Sequence, residues 1–474
     1  MVGAIAILLL AKTDKTARYT ALLFTGVTLV LSLVAWGLFD NSQAGPQLVQ
    51  KYSWLPQLNV SFFLGVDGLS VPLVALTALL TFSSVLVSWG ITLRVKEYFF
   101  WLLLLETGVL GVFMAFDLLV FFFFWEIELI PMFMLISVWG SGRKEYSAMK
   151  FLIYTILGSA LMLIGILVLY FSVSPHTFDM MQLKGMKFSG VLLTSQVVFF
   201  LLLAAFAIKL PVWPFHTWLP DAHTDAPTAV SVMLAGILLK MGGYGIIRIN
   251  LGLFPNVAHQ YAWLLATLAV VSILYGAVMT FVQRDLKKLI AYSSVSHMGY
   301  VLLGVASLQQ IGVTGAALQM FTHGTITGLL FMLVGLVYEK AHTRHIPDLG
   351  GLAGRMPVIA SVFVVAGMAS LGLPMLSGFV AELLVFLGTF PVYRLATILA
   401  VVGVVFTAGY ILWTVQRVMF GPQQARFAAI GDVKPVEVVP LVAMIVPIVI
   451  VGVYPALVAN FFKMGVSSIL GVPG

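Results

Sequence analysis

The sequence contains no cysteine and few charged residues, and both absences narrow its possible functions. Thiolate zinc sites, iron–sulfur clusters and disulfides are excluded because all need cysteine. Only 9% of the 474 residues are charged, whereas about a quarter are charged in a typical soluble domain. Gly242-Gly243 and Gly350-Gly351 lack the strand and helix context of nucleotide-binding loops. We therefore expect the chain itself to bind no metal, cofactor or nucleic acid.

Long apolar runs fill most of the chain. Hydrophobic residues make up 61% of it, and apolar runs of about 20 residues without alternation are typical of helices that cross a bilayer. The sequence therefore predicts an all-α polytopic membrane protein with about 14 transmembrane helices. The predicted segments are 1–11, 19–40, 68–92, 98–116, 117–139, 147–172, 191–219, 226–251, 261–283, 286–306, 313–338, 357–390, 395–417 and 436–462. The first is too short to span, and we interpret it as a shortened helix.

Lysine and arginine are distributed unequally between the loops. Of the 25 such residues, 17 lie in or beside the odd-numbered loops and six in or beside the even loops and the C-terminus. Basic residues collect on the cytoplasmic side of membrane proteins. We therefore expect the odd loops to lie in the cytoplasm and both termini outside, in a bacterial plasma membrane.

Two of the apolar segments are interrupted by proline. Pro211 and Pro214 follow Lys209 in segment 7, and Pro374 interrupts segment 12. Paired broken helices are typical of transporters built from inverted repeats, and they mark the ion site. We therefore expect N-terminal helices over 1–97, inverted five-helix repeats over 98–251 and 252–420, each with one discontinuous helix, and a final helix over 421–474.

Ionisable residues inside the apolar segments are the candidate functional residues. Such groups are costly in hydrocarbon and usually line proton or ion paths. A lone buried histidine is more often a satisfied polar contact, but a series of ionisable groups on successive helices favours proton transfer. The candidates are Glu126, Lys209, Lys240, His297, His323 and Glu382.

Two further residues are secondary candidates. Glu128 lies two positions after Glu126, so the two side chains face different sides of a helix. His216 belongs to a group with Asp221, His223 and Asp225 after the first break. A metal site there is a weak hypothesis, since such residues at helix ends are usually solvated or capping.

The candidate residues lie in longer motifs. These motifs are Trp125-Glu126 with Leu129-Ile-Pro131, Lys209-Leu-Pro211, Pro214-Phe-His-Thr-Trp-Leu-Pro-Asp-Ala-His223, Leu234-Ala-Gly-Ile-Leu-Leu-Lys240, Ile290-Ala-Tyr-Ser-Ser-Val-Ser-His-Met-Gly299 and Ser377-Gly-Phe-Val-Ala-Glu382. They resemble the antiporter-like subunit M family of respiratory complex I, the NADH-quinone oxidoreductase, and the resemblance extends from about residue 65 to residue 454. The run Trp-Glu-Ile-Glu is also similar to the chain 4 subunits of the cyanobacterial and chloroplast NAD(P)H-quinone oxidoreductases.

The resemblance implies a role for each candidate. Glu126 and Lys209 would be the coupling pair, Lys240 the central relay, His297 and His323 the bridging groups, and Glu382 the outlet residue. The chain would be a non-redox subunit of an oxidoreductase, with NADH, FMN, iron–sulfur clusters and quinone held by partner subunits. Its partners would be the peripheral redox arm, membrane lipids and other membrane-arm subunits, including sister antiporter-like subunits.

Other functions use the same helices and stay open at this point. A cation/proton antiporter subunit and the membrane arm of a proton-pumping hydrogenase would both need the same buried charges. A scaffold with vestigial charges is disfavoured, because each uncompensated polar group in hydrocarbon costs several kcal/mol.

Overall fold

The computed structural model describes residues 1–43, 45–186, 188 and 192–472, and most of them are helical. The helices are α1 (Val2–Leu10), α2 (Asp14–Leu38), α3 (Val71–Val87), α4 (Val95–Met114), α5 (Leu118–Ile127), α6 (Leu129–Trp139), α7 (Lys144–Ser172), α8 (Met180–Leu183), α9 (Ser195–Lys209), α10 (Trp218–Asp225), α11 (Thr228–Met233), α12 (Leu239–Gly245), α13 (Pro255–Phe281), α14 (Leu286–Ala306), α15 (Gln310–Ala341), α16 (Pro357–Ser370), α17 (Ser377–Thr389), α18 (Arg394–Val418), α19 (Pro435–Val453) and α20 (Ala456–Leu470).

Eleven helical stretches in the described part of the chain are long and apolar enough to cross a membrane. α11 and α12 belong to one continuous helix from Thr228 to Leu251, and this helix and α15 are buried over their apolar length. α2 and α18 instead leave most of their apolar surface exposed, as expected for helices that face lipid. The prediction of a helical membrane protein is confirmed, while the count of fourteen and the inverted repeats remain predictions.

Both predicted helix breaks are present. α9 ends at Lys209 and α10 begins at Trp218, while α16 ends at Ser370 and α17 begins at Ser377. Proline has no N–H to continue a helix, so Pro211, Pro214 and Pro374 account for the positions of the breaks. Side chains bond to the backbone freed at the first break: the Trp213 N–H donates to Ser272 Oγ at 3.0 Å, and Trp218 Nε1 donates to the Ile208 carbonyl at 3.0 Å.

One predicted boundary needs correction: segment 14 ends early, at Val453. Segment 5 corresponds to one apolar stretch, Leu118–Trp139, in which the single turn residue Glu128 separates α5 from α6. After Pro455, α20 runs as a separate amphipathic helix that buries Phe461 and Phe462 and exposes Lys463. Residue 191, the predicted start of segment 7, lies outside the described residues, and α9 begins at Ser195.

A two-stranded antiparallel hairpin, β1 (Gln47–Leu55) and β2 (Val60–Val66), was not predicted. Asp117, in the turn between α4 and α5, joins it to the helices. Its carboxylate accepts hydrogen bonds from Leu119 N at 2.9 Å and from Ser61 N, in β2, at 3.2 Å. Asp117 therefore caps the N-terminus of α5, and burial raises the pKa of its carboxyl to about 6.

Candidate functional site

Lys209, the last residue of α9, forms a buried ion pair with Glu128. The lysine ammonium donates to Glu128 Oε1, and the two side chains are 1% and 0% exposed. The rings of Trp125 and Phe151 lie 5.6 and 5.3 Å from the ammonium. A charged pair enclosed in this way is far more strongly coupled than a surface pair, because little water screens it.

The partner of Lys209 is therefore Glu128, where the sequence analysis placed Glu126. Residues two positions apart on a helix point about 200° apart, so only one of the two carboxylates faces α9. Glu126 is half-buried, and its Oε1 has no hydrogen-bond partner among the described residues. It nevertheless interacts electrostatically with Glu128. The coupling role given to Glu126 thus remains a prediction, whereas the ion pair itself belongs to Glu128.

Lys240 lies at the centre of the buried helix, between two π-helical stretches, Leu234–Leu238 and Ile246–Leu251. Such stretches are rare and are often found at functional sites. The ammonium of Lys240 bonds to the Ala235 carbonyl and lies 2.7 Å from His323 Nδ1. No carboxylate within the described residues forms a salt bridge with it, so its charge depends on more distant groups.

His323, His297 and Glu382 continue the series from Lys240. The two imidazole rings are 5.5 Å apart, and His297 Nδ1 lies 3.3 Å from Glu382 Oε1. His297 Nε2 lies 3.3 Å from Ser370 Oγ, the last residue before the second helix break. All three groups line a cavity of about 10 Å³, which is close to the space that one water needs. Four of the six candidates are thus in one connected group.

A close approach of α17 to α16 brings Glu382 to this group. A Cβ on Gly378 would collide with the Ala369 carbonyl of α16. Because only glycine fits there, α17 can pack tightly enough for Glu382, four residues later, to reach His297. The run Ser-Gly-Phe-Val-Ala-Glu therefore contains both the carboxylate and the residue that positions its helix.

The two lysine sites meet through backbone contact. None of the hydrogen bonds in the described part of the chain joins Lys209 to Lys240. However, a Cβ on Gly242 would lie 2.5 Å from the Phe206 carbonyl and 2.6 Å from Leu210 N, both at the end of α9. Gly242 thus lets the helix of Lys240 touch the end of the helix that carries Lys209.

We expect Gly242→Ala to separate these two helices and to reduce transfer between the two lysine sites. Overpacking of a tight contact typically destabilises by about 1–3 kcal/mol. Gly252→Ala is the matched control, because the nearest atom to its new Cβ lies at an ordinary 3.6 Å. Thermal stability and proton transport of the two purified variants test this. Equal behaviour would mean that the contact does not position the lysines.

The second histidine of the first break is more deeply buried than the sequence suggested. His223 is 0% exposed and stacks on Phe331 at 4.6 Å, and neither ring nitrogen has a hydrogen-bond partner among the described residues. It interacts electrostatically with Lys240 and with Lys287, another buried lysine. No sequence signal separated it from His216, since both lie in the same motif.

His216, Asp221 and Asp225 lie in different surroundings and form no joint site. His216 lies against Tyr275, with ring centroids 4.9 Å apart. Asp221 pairs with Lys150 at 2.7 Å, and Asp225 accepts a hydrogen bond from Ser147 at 2.5 Å. Within the described residues, no group of three or more histidine or acidic side chains could hold a metal ion. The weak metal hypothesis for this group therefore has no geometric support.

Comparison with known proteins places this arrangement in a family. Residues 115–407 match the transmembrane family described as NADH:quinone oxidoreductase/Mrp antiporter. The match covers more than half of the chain, and the chain belongs to this family. The resemblance that the sequence motifs carry is thereby confirmed.

Individual relatives agree with this assignment. The chain is 44% identical to NAD(P)H-quinone oxidoreductase chain 4 1 of Synechococcus elongatus over 461 residues, 96% of this chain and 86% of the relative. It is 39% identical to NADH-quinone oxidoreductase subunit M of Rickettsia felis over 463 residues, 97% of this chain and 94% of the relative. Both matches extend over nearly the whole length of the chain.

Solved structures share the fold. A chain of respiratory complex I from Thermus thermophilus superposes with a TM-score of 0.90 at 30% identity, covering 99% of this chain and 98% of that one. A chain of the Mrp complex from Dietzia sp. superposes with a TM-score of 0.87 at 22% identity, covering 99% and 96%. The second likeness establishes a common fold only.

Proposed function

We propose that the chain is a proton-translocating membrane-arm subunit of a quinone-reducing complex of the complex I type. The observation that carries this proposal is the connected series Lys240, His323, His297 and Glu382, preceded by the ion pair of Lys209. Relatives of nearly the same length are named as subunits of NADH- and NAD(P)H-quinone oxidoreductases. NADH, FMN, iron–sulfur clusters and quinone would then be bound by partner subunits.

The geometry supports a transfer that begins at the ion pair. Glu128 stabilises the ammonium of Lys209 while the two remain in contact. If the redox reaction in the partner subunits neutralises Glu128 or moves it away, Lys209 is left charged among apolar and aromatic side chains. A buried ammonium without a counter-charge releases its proton more readily. The proton would pass towards Lys240, across the contact at Gly242.

The second half of the path would run through side chains that lie close together. Lys240 lies within hydrogen-bond reach of His323 Nδ1, which is the geometry that proton transfer between side chains needs. The two histidines flank a cavity that has room for about one water. His297 then contacts Glu382 at 3.3 Å, and Glu382 would release the proton at the far end.

The experiment that tests this function is purification through a tag on this chain, followed by reconstitution into vesicles. We expect partner membrane-arm subunits and a peripheral redox arm to co-purify, and quinone reduction to drive proton uptake that an uncoupler abolishes. Cation/proton exchange without quinone reductase activity would favour the antiporter alternative. Hydrogen evolution without quinone reduction would favour the hydrogenase alternative.

We further propose the plasma-membrane topology that the basic residues indicate. A green fluorescent reporter, which matures only in the cytoplasm, should fluoresce when inserted after Gly140. The same reporter should be dark when fused to the C-terminus, residue 474, which lies outside the described residues. Fluorescence at both positions would mean that the count of membrane crossings is wrong by one.

A further inference from the structure

A cavity separate from the proton path lies between the ends of α3, α15 and α19. Its volume is about 260 Å³, slightly less than that of a typical small-molecule site. Apolar side chains form its walls, and polar and charged ones form its rim. The wall residues include Leu86, Met332, Leu336 and Leu441, and the rim residues are Trp89, Glu339, Lys434 and Glu437.

The rim carries one free charge of each sign. Glu437 is engaged, since it accepts hydrogen bonds from the Lys340 ammonium at 3.2 Å and from Lys434 N at 2.8 Å. The carboxylate of Glu339 and the ammonium of Lys434 form no salt bridge with any described residue. A ligand with a cation and an anion a few bonds apart could pair with both groups at once.

The position of the cavity also suggests its ligand. Trp89, Glu339 and Lys434 all follow or precede odd-numbered loops, on the face that carries most of the basic residues. Trp89 packs edge-to-face against Tyr19 at 5.3 Å, and such aromatic pairs are typical of the level of lipid headgroups. The rim is therefore at the height where a headgroup would lie.

An exposed apolar stripe leads away from the rim. Val436, which lines the cavity, is followed on one face of α19 by Val439, Val442 and Val446, and all four are about half exposed. Their spacing of three to four residues keeps them in line along the helix. Acyl chains attached to a group in the cavity would therefore find a continuous apolar surface.

We propose that this cavity binds the headgroup of a phospholipid with a primary amine, of the phosphatidylethanolamine type. The lipid ammonium would pair with Glu339, and its phosphate with Lys434 and the positive end of α19, which begins beside the rim. Since the two free rim charges cancel, a zwitterionic headgroup fits better than an anionic one, which usually needs a cluster of basic residues. The proposal depends on the membrane placement and not on the proton path.

Native mass spectrometry of the intact complex tests the proposal. The complex is first exchanged into equal amounts of ethanolamine, glycerol and choline phospholipids. We expect the ethanolamine lipid to be retained preferentially. Glu339→Gln should lower its retention about three- to fivefold, the effect of one partly exposed charge pair, and should favour the anionic glycerol lipid. Lys434→Gln should lower retention of both. Glu145→Gln, an exposed carboxylate outside the cavity, is the matched control and should change nothing.

A variant that blocks the cavity and a labelling experiment test whether a lipid or a protein occupies it. Val436→Trp should fill the mouth of the cavity and lower lipid retention without changing the charges. Equal retention of the three lipids, or no change in any cavity variant, would overturn the proposal. Carbodiimide labelling of Glu339 gives a further test. If the label is blocked in the delipidated complex but not in the isolated chain, a partner subunit covers the cavity, and the proposal is overturned.

Discussion

Lys240→Arg is expected to lose proton pumping nearly as completely as Lys240→Ala. Alanine removes the group that carries the proton, whereas arginine keeps the charge but does not release its proton in proteins. Lys240 lies 2.7 Å from His323 Nδ1 and forms no salt bridge with a carboxylate of the described residues. This geometry favours a proton carrier over a fixed counter-charge. We expect a loss of at least about a hundredfold, since a positioned proton-transfer group contributes about 10²–10⁴-fold.

Proton uptake driven by quinone reduction in vesicles, normalised to assembled complex, measures this loss. Lys240→Met is the control for packing, because methionine fills a similar volume and carries no proton, and it should fail as alanine does. Full pumping by the arginine variant would show that Lys240 is a fixed counter-charge. Pumping by the methionine variant would show that the path passes elsewhere.

The candidate residues could be predicted because the surrounding chain is apolar. In a sequence with 9% charged residues, each lysine, histidine or glutamate inside an apolar segment is conspicuous. Because burying such a group costs free energy, each one is a candidate functional residue. Lys240, His297, His323 and Glu382 were all found in this way, and the structure brings them into one connected group. Proline revealed the two helix breaks equally directly, because its effect on a helix is local.

The choice between Glu126 and Glu128 could not be made from the sequence. Periodicity shows that the two residues face different directions, but not which one faces Lys209. That depends on the rotation of α5 about its axis, which tertiary contacts set. Gly108 of α4 is one of these contacts, since a Cβ there would lie 3.0 Å from Glu128 N. No local pattern reports such a contact.

The missed elements of the fold have a similar explanation. The hairpin strand Val60–Val66 is a short apolar run, and such runs do not distinguish a strand from the edge of a helix. α20 was merged with α19 because Phe461 and Phe462 continue the apolar composition after Pro455. Hydropathy over a long window detects apolar stretches well, but it does not detect a break such as the one between Val453 and Ala456.

Glu128→Gln is expected to reduce coupled proton pumping more severely than Glu126→Gln, which reverses the order that the sequence suggested. Removal of the Glu128 charge leaves the Lys209 ammonium buried without its partner, and breaking a buried ion pair in this way costs about 3–5 kcal/mol. Lys209 would then lose its proton or its position. Glu126→Gln instead removes a negative charge that interacts with Glu128. The remaining pair should become tighter, so pumping should slow by a few-fold without being abolished.

Pumping assays on both variants and on the charge-reversed double variant Glu128→Lys with Lys209→Glu test this order. If the pair acts through its charges alone, the double variant should assemble better than either single variant, although it need not pump. Amounts of assembled complex separate loss of structure from loss of coupling. Severe loss in Glu126→Gln beside mild loss in Glu128→Gln would show that Lys209 works with Glu126 during turnover. The contact with Glu128 would then be a resting state, from which the lysine must move before it can transfer a proton.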